Sequence, residues 1–177
     1  TGPEIYDDMG GNVDFFVAGI GTDGTISGCG EFLKSKNQNI KIVGVEPFDS
    51  PVLTEGKSGS HKLQGIGAGF IPKVLNTKIY DEIIKVKTEE AYETARMIGV
   101  MEGVLVGISS GAAAFAAIEL AKRPENKGKN IVVVTLYTLI PEASLPIMLN
   151  PLSSAAVLGA LRYNFTSAGV IFTGLPS

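Results

Sequence analysis

The sequence has few of the residues that build disulfides, zinc sites and nucleic-acid surfaces. Its 177 residues include one cysteine, Cys29, one histidine, His61, and no tryptophan. A single cysteine excludes an intrachain disulfide, which fits a reducing compartment such as the cytoplasm. One cysteine and one histidine also exclude a zinc site with several ligands of these two types. The net charge of −3 argues against a basic surface for nucleic acid.

Signals for export or membrane insertion are also missing. Residues 1–8, TGPEIYDD, do not resemble a signal peptide. Any plastid or mitochondrial targeting peptide would lie upstream of them. The apolar stretch at 147–161 is interrupted by Asn150, Pro151 and two serines, and a membrane span needs about 20 apolar residues. We therefore expect no membrane segment.

Up to residue 135, apolar strands alternate with amphipathic helices. The pattern predicts strands at 13–18, 40–45, 79–86 and 130–135, and helices at 25–36, 88–102 and 112–122. Strands that are apolar almost throughout are typical of a parallel sheet covered on both faces. Residues 1–135 therefore predict an α/β domain with a doubly wound, mostly parallel sheet. Residues 136–177 contain one acid and one base, and they are expected to form an apolar tail of unknown structure, which packs on the domain, lies disordered or promotes aggregation.

The first strand leads into a glycine-rich turn, GIGTDG at 19–24, and then into a predicted helix. Backbone amides at a helix start have no partner inside the helix, so they bind anions such as phosphate. Thr22 and Thr25 favour a compact phosphate cup. The same glycines fit G-x-G-x-x-G, with Glu46 placed to meet a ribose hydroxyl, which favours a dinucleotide site. A turn with no ligand is the third interpretation.

Two later glycine-rich segments also allow two interpretations each. The segment at 65–69, GIGAG, suits a mobile loop that closes on substrate, or an ordinary surface loop. The segment at 107–111, GISSG, presents Ser109 and Ser110 to a carboxylate, or supplies an ordinary serine N-cap.

A small basic cluster lies between the first two glycine-rich segments. It consists of Lys57, His61 and Lys62. These side chains suit an anionic ligand or an acidic peptide, or they form a solvated surface. His61 is a poor candidate for a catalytic base, because nothing in the sequence places an orienting partner beside it.

Several long motifs, taken in order, resemble one enzyme family. The motifs are VDFFVAGIGTDGTISGCGEFLK, IKIVGVEP, HKLQGIGAGFIPKVL, YDEIIKV, EGVLVGISSGAAA and AKRPENKGKNIVVV. They resemble the C-terminal half of cysteine synthase, or O-acetylserine (thiol)-lyase, of the plant type that includes β-cyanoalanine synthases. The resemblance covers about residues 1–135. It implies a fold-type II pyridoxal-phosphate enzyme, here without its N-terminal half, and a homodimer.

The resemblance also implies a reaction and its site residues. Pyridoxal 5'-phosphate serves as electron sink while O-acetylserine loses acetate and sulfide adds to give cysteine. The C-terminal tail of serine acetyltransferase binds such enzymes, and the segment 57–62 is the candidate surface for it. By motif, the phosphate site is Gly21, Thr22, Asp23, Gly24 and Thr25, and the substrate side has Gly65, Gly67, Ser109 and Ser110.

The chain departs from the family in three places. The lysine that holds the cofactor and the loop T-S-G-N-T belong to the half that is absent, so no catalytic residue is assigned. Asp23 stands where the family has glycine, and a carboxylate beside a phosphate weakens binding unless it points into solvent. After Leu136 the family's P-x-S-G-E-R-Y is replaced by YTLIPEASLP, in which Ser144 is no substitute by motif, and apolar sequence then replaces the family's ending.

These departures predict a chain that is inactive alone. The alternatives are an NAD-type dinucleotide-binding domain, or a non-catalytic binding protein for serine acetyltransferase or for cysteine synthase subunits.

Overall fold

The computed structural model describes residues 1–21 and 24–135 in full, and the backbone of residues 137–139, 161–166 and 169–174. The helices are α1 (Gly2–Asp8), α2 (Gly24–Lys36), α3 (Val52–Glu55), α4 (Thr88–Glu102) and α5 (Ile108–Ala121), with a 3₁₀ turn at Pro124–Asn126. The strands are β1 (Phe15–Gly19), β2 (Lys41–Pro47), β3 (Glu82–Val86), β4 (Val104–Val106), β5 (Asn130–Val133), β6 (Tyr137–Leu139), β7 (Leu161–Thr166) and β8 (Gly169–Gly174).

The main sheet has the strand order β3-β2-β1-β5-β8-β7. Its first four strands are parallel, with Phe15 of β1 opposite Lys41 of β2 on one side and Ile131 of β5 on the other. Strand β8 pairs antiparallel with β5, and β7 pairs antiparallel with β8. A second sheet joins β4 and β6 antiparallel. The predicted mostly parallel sheet is confirmed.

Helices cover both faces of this sheet, and each face has its own apolar core. One core lies under α4 and α5 and includes Val17, Val43 and Val133. The other lies under α1 and α2 and includes Phe16, Ile26 and Ile42. Alternate residues of the same strands face opposite cores, so the strands are apolar almost throughout. The doubly wound α/β architecture is confirmed.

Several local predictions differ from the structure. The seven-residue helix α1 and the four-residue helix α3 were not predicted, because neither is long enough to show helical periodicity. Helix α4 is not capped by Thr88, although threonine is a common capping residue: Lys87 is the N-cap, and its N–H donates to Glu90 Oε2 at 2.8 Å. Gly103 ends α4 as predicted, with a left-handed φ of 68°. In the part of the chain that the structure describes, no helix is both long and apolar enough to cross a membrane.

Candidate cofactor and substrate site

The sheet changes direction of winding between β1 and β5. From β1 the chain winds through β2 to β3 on one side, whereas β5 lies on the other side of β1. In open α/β sheets, ligands bind beyond the carboxyl ends of the strands at this kind of switch point. A cleft of about 220 Å³ lies there. The described residues that line it are Ala18, Gly19, Thr25, Gly65, Ile66, Ser109, Ser110 and Val134.

Helix α2 begins at this cleft. Thr25, in its first turn, lines the cleft, and no acidic residue occupies that turn. A Cβ built on Gly24 would meet no described atom within 4 Å. Lys34 and Lys36 lie in the last turn, where they complement the negative end of the helix dipole.

Helix α5 begins at the same cleft. Its N-cap is Gly107, which makes no side-chain cap, and its first turn contains no acid. The prediction of an ordinary serine N-cap is therefore wrong, because Ser109 and Ser110 lie inside the first turn. Both serines line the cleft. The positive ends of two helix dipoles, from helices of 13 and 14 residues, thus point into one space.

The loop at 61–69 forms another part of the cleft wall. Gly65, Gly67 and Gly69 have φ values of +94°, +69° and +81°, a backbone that other residues rarely adopt. A Cβ on Gly65 would approach Ser109 Oγ to 3.2 Å. The N–H of Gly67 donates to the carbonyl of Ile20 at 2.9 Å, which ties the loop to the end of β1.

The structure brings together four of the residues predicted from the motifs. Thr25, Gly65, Ser109 and Ser110 line the cleft although they come from three separate segments. Gly21 lies against the loop at 61–69, because a Cβ on it would collide with the carbonyl oxygen of Gly65. Gly21 and Gly67 line a smaller neighbouring hollow. The predicted residues Thr22 and Asp23 lie outside the described residues.

The Glu46 side chain has a structural role at the start of α3. It is 2% exposed, and its carboxylate accepts hydrogen bonds from the amides of Leu53 and Thr54 and from the Thr54 hydroxyl. These bonds satisfy the first amides of α3. The placement of Glu46 against a ribose hydroxyl, which the dinucleotide interpretation needs, is therefore wrong. This role was missed because a four-residue helix gives no sequence signal.

The basic cluster is smaller than the sequence suggests. Lys57 and Lys62 are exposed, and Lys57 Nζ lies 3.6 Å from Glu55. His61 instead turns into its own loop, where its ring Nε2 lies 2.9 Å from the carbonyl oxygen of Gly67. The exposed positive charge therefore comes from the two lysines.

The described lining suits a phosphate group. None of the described residues that line the cleft is acidic, and most are small or carry a hydroxyl. The first amides of α2 and α5 have no acceptor within their own helix and can serve as donors, and the hydroxyl of Thr25 adds one more. The described lining includes no lysine, so an anion in this cleft would be held by hydrogen bonds rather than by a lysine charge.

Cys29, on α2, is not a candidate nucleophile. Its side chain is 4% exposed in the core under α1 and α2. Burial raises the pKa of the Cys29 thiol, and the thiol form is a poor nucleophile. Among the described residues, no group of three or more His, Cys, Asp or Glu side chains is arranged to hold a metal ion.

A parallel α/β sheet with a ligand cleft at its switch point is typical of enzymes that bind phosphate-bearing cofactors. Comparison with known proteins identifies the family. Residues 1–136 match the family described as pyridoxal-phosphate dependent enzyme, and the chain belongs to it. Within that family, the chain is 55% identical to a cysteine synthase from Staphylococcus aureus over 135 residues, which are 76% of this chain and 43% of the relative. The resemblance to cysteine synthase and the pyridoxal-phosphate cofactor are confirmed as family properties.

Solved structures agree with this placement. A cysteine synthase from Entamoeba histolytica has a TM-score of 0.72 and 45% identity, covering 75% of this chain and 39% of its own. A hydrogen sulfide-producing enzyme from Fusobacterium nucleatum has a TM-score of 0.73 and 40% identity, covering 81% and 48%. The chain therefore spans less than half the length of these relatives. None of these comparisons favours the dinucleotide interpretation.

Proposed function

We propose that this chain forms the phosphate- and substrate-binding part of a pyridoxal-phosphate-dependent enzyme that makes cysteine. The reaction replaces the acetate of O-acetylserine with sulfide and releases acetate. When bound, the cofactor would supply its pyridine ring as an electron sink. The observation that carries the proposal is the meeting of the starts of α2 and α5, whose first helical turns contain no acid, in one cleft at the switch point of the sheet.

The residues of this chain would bind and orient. The first amides of α2, with Thr25 and the turn that contains Gly21, Thr22, Asp23 and Gly24, would hold the cofactor phosphate. Ser109 and Ser110 at the start of α5 and the glycine loop at Gly65 and Gly67 would lie on the substrate side. Both helix dipoles would stabilise negative charge in the cleft. These roles are supported by the position of Thr25, Gly65 and both serines in one lining.

The described cleft contains no lysine, so we expect this chain by itself to bind the cofactor without a covalent bond. Incubation with pyridoxal phosphate, O-acetylserine and sulfide should give no cysteine above a control without protein. Strong cysteine formation, or cofactor absorbance that borohydride alters and fixes to the chain, would contradict this part of the proposal.

A charge placed at the start of α2 tests the phosphate site. Thr25→Glu sets a carboxylate beside the bound dianion, and repulsion between them at a partly shielded site should weaken binding about 100-fold. Ser35→Glu is the matched control, because it adds the same charge at the exposed far end of α2. Pyridoxal phosphate binding to the 177-residue chain would be followed by fluorescence titration, with pyridoxal as the ligand that lacks phosphate.

The expected order has three parts. The wild-type chain and Ser35→Glu bind pyridoxal phosphate alike, Thr25→Glu binds it much more weakly, and pyridoxal binds weakly to all three. Equal affinity of the wild type for pyridoxal and pyridoxal phosphate would show that the phosphate does not carry binding. Equal affinity of the two glutamate variants for pyridoxal phosphate would show that the phosphate does not bind at the start of α2.

The proposal includes two further features that rest on the family resemblance. The protein would act as a homodimer, and Lys57 and Lys62 would receive the acidic C-terminal tail of serine acetyltransferase. Exposure of both lysines supports the second feature. We also propose that residues 1–135 form the enzyme-like domain, because the family match ends at residue 136. Residues 136–177 would form an apolar tail whose strands β6, β7 and β8 add to the two sheets of that domain. A reducing compartment such as the cytoplasm suits the free thiol of Cys29.

A further inference from the structure

The side chain of His61 makes two hydrogen bonds within the loop at 61–69, which forms part of the cleft wall. The N–H of Leu63 donates to His61 Nδ1 at 3.2 Å, so this ring nitrogen is the acceptor. The other nitrogen, Nε2, then carries the proton and donates to the carbonyl oxygen of Gly67 at 2.9 Å. A single neutral tautomer of the ring satisfies both bonds.

These bonds fix the peptide groups around Gly67 from two sides. The carbonyl of Gly67 accepts from His61, and its N–H donates to the carbonyl of Ile20 at 2.9 Å. The site has no spare room, because a Cβ on Gly67 would come within 2.5 Å of Pro47 Cγ and 2.7 Å of His61 Nε2. The turn is therefore clamped between the ring and the ends of β1 and β2.

The clamp determines where the cleft wall lies. Gly65 is two residues before Gly67, and a Cβ on it would approach Ser109 Oγ to 3.2 Å. Ile66, between the two glycines, is buried with 6% exposure and packs against Gly19 at the end of β1. Movement of the carbonyl of Gly67 would therefore move the wall that faces the start of α5.

We propose that His61 is a positioning residue, whose neutral imidazole holds the Gly65–Gly67 turn in the conformation that forms the cleft wall. It acts through the loop backbone and is not among the residues that line the cleft. The importance of this wall for cofactor binding rests on the proposed function. The clamp itself is a property of the loop and can be measured without any ligand.

Two substitutions test the two hydrogen bonds of His61 separately, the bond from Leu63 and the bond to Gly67. In His61→Gln the side-chain amide can still donate toward Gly67, whereas in His61→Asn the shorter side chain can still accept from Leu63. Lys73→Gln is the control, because Lys73 is exposed beyond the loop. The hydrogen-exchange rate of the Gly67 amide in the ligand-free chain measures how firmly the turn is held. Nitrogen chemical shifts of the His61 ring report its tautomer. Thermal unfolding shows whether each variant remains folded.

We expect about tenfold faster exchange at Gly67 in His61→Asn, which loses the bond to Gly67. His61→Gln should show a smaller increase, and Lys73→Gln none. The wild-type ring should show protonated Nε2 and unprotonated Nδ1. Unchanged exchange in His61→Asn, or a proton on Nδ1, would overturn the clamp.

Binding of pyridoxal phosphate separates this proposal from the proposed function. If the clamp forms the wall, His61→Asn should bind about tenfold more weakly than Lys73→Gln while it remains folded. Faster exchange with unchanged affinity would show that the loop does not position the site. A wild-type chain that binds no pyridoxal phosphate would refute the proposed function, and the exchange and tautomer measurements would still decide whether His61 clamps the turn.

Discussion

The parallel sheet has one edge where its strands begin and an opposite edge where they end, and these two edges are stabilised in different ways. At the edge where the strands begin, carboxylates accept hydrogen bonds from neighbouring strands. Asp14, before β1, accepts from the amide of Asn130 and from Lys129. Asp81, before β3, accepts from the amide of Ile42 and pairs with Lys34 and Lys41. Ionic contacts thus hold the strand starts in register.

The edge where the strands end has a different construction. Turns with positive φ at Gly65 and Gly67 lie against the ends of β1 and β2, and a neutral histidine braces them. The cleft lining in the described part of the chain carries no acid. First turns without carboxylates, as in α2 and α5, leave the positive end of each helix dipole free to stabilise an anion, whereas the opposite edge has no such restriction. Close packing should therefore contribute most to stability at the edge where the strands end, and ionic pairing at the edge where they begin.

The largest effect on folding should come from Gly67→Ala at the cleft edge. A methyl group there meets Pro47 and His61, and the φ of +69° is unfavourable for alanine. Backbone strain and overpacking together should lower the free energy of unfolding by about 2–4 kcal/mol. Urea unfolding would measure the loss.

Gly56→Ala is the matched control for this comparison. Gly56 has a similar φ of +66°, but a Cβ there would meet nothing within 4 Å. It should lose only the backbone part, about 1 kcal/mol. Equal losses in the two variants would show that close contact does not distinguish the cleft edge.

The difference between the edges also separates what the sequence could predict from what it could not. The parallel sheet was predictable because strands such as IKIVGV at 40–45 are apolar almost throughout. The cleft residues Thr25, Gly65, Ser109 and Ser110 were predictable because each lies in a glycine-rich motif that resembles the family. These signals are local, or lie in motifs long enough to be recognised.

The contacts that hold the edges were not predictable in the same way. Asp81 binds the amide of Ile42, 39 residues away, and Arg123 binds Glu82 over 41 residues. The sequence does not specify which distant partner a charged residue meets. His61 was judged a poor catalytic base for lack of a partner, and its partners in the structure are backbone groups of its own loop. Such groups leave no pattern in the side chains.

A medium effect, with a clear pH dependence, is expected from Asp81→Asn at the other edge. Burial alone would raise the pKa of Asp81, but hydrogen bonds from Lys34 and the amide of Ile42 and the charge of Lys34 outweigh it, so the pKa lies below its ordinary value. The stabilisation is therefore complete above the pKa of the unfolded chain and is lost as pH falls through the folded pKa. At pH 7 the variant should lose about 1–2 kcal/mol.

Chemical unfolding between pH 7 and pH 2 would measure this difference. The wild-type chain and Asp81→Asn should differ most at neutral pH and converge as the pH falls below about 4. Asp8→Asn, at an exposed position on α1, should change stability little across the range. A gap between wild type and Asp81→Asn that stays constant down to pH 2 would mean that the charge of Asp81 does not stabilise this edge.

The smallest effect is expected from Arg123→Lys, which tests how strong ionic pairing at this edge can be. Arg123 binds Glu82 through two bonds, Nη1 to Oε2 at 2.9 Å and Nη2 to Oε1 at 2.6 Å, but both side chains are 37% exposed. Lysine cannot make the paired contact, and solvent screening limits the loss to at most about 1 kcal/mol. A double-mutant cycle with Glu82→Gln, at low and high salt, would isolate the coupling. A coupling energy that exceeds the loss in Gly67→Ala would reverse the ranking of the two edges. A coupling energy that survives 1 M salt would show that solvent screening does not limit this ion pair.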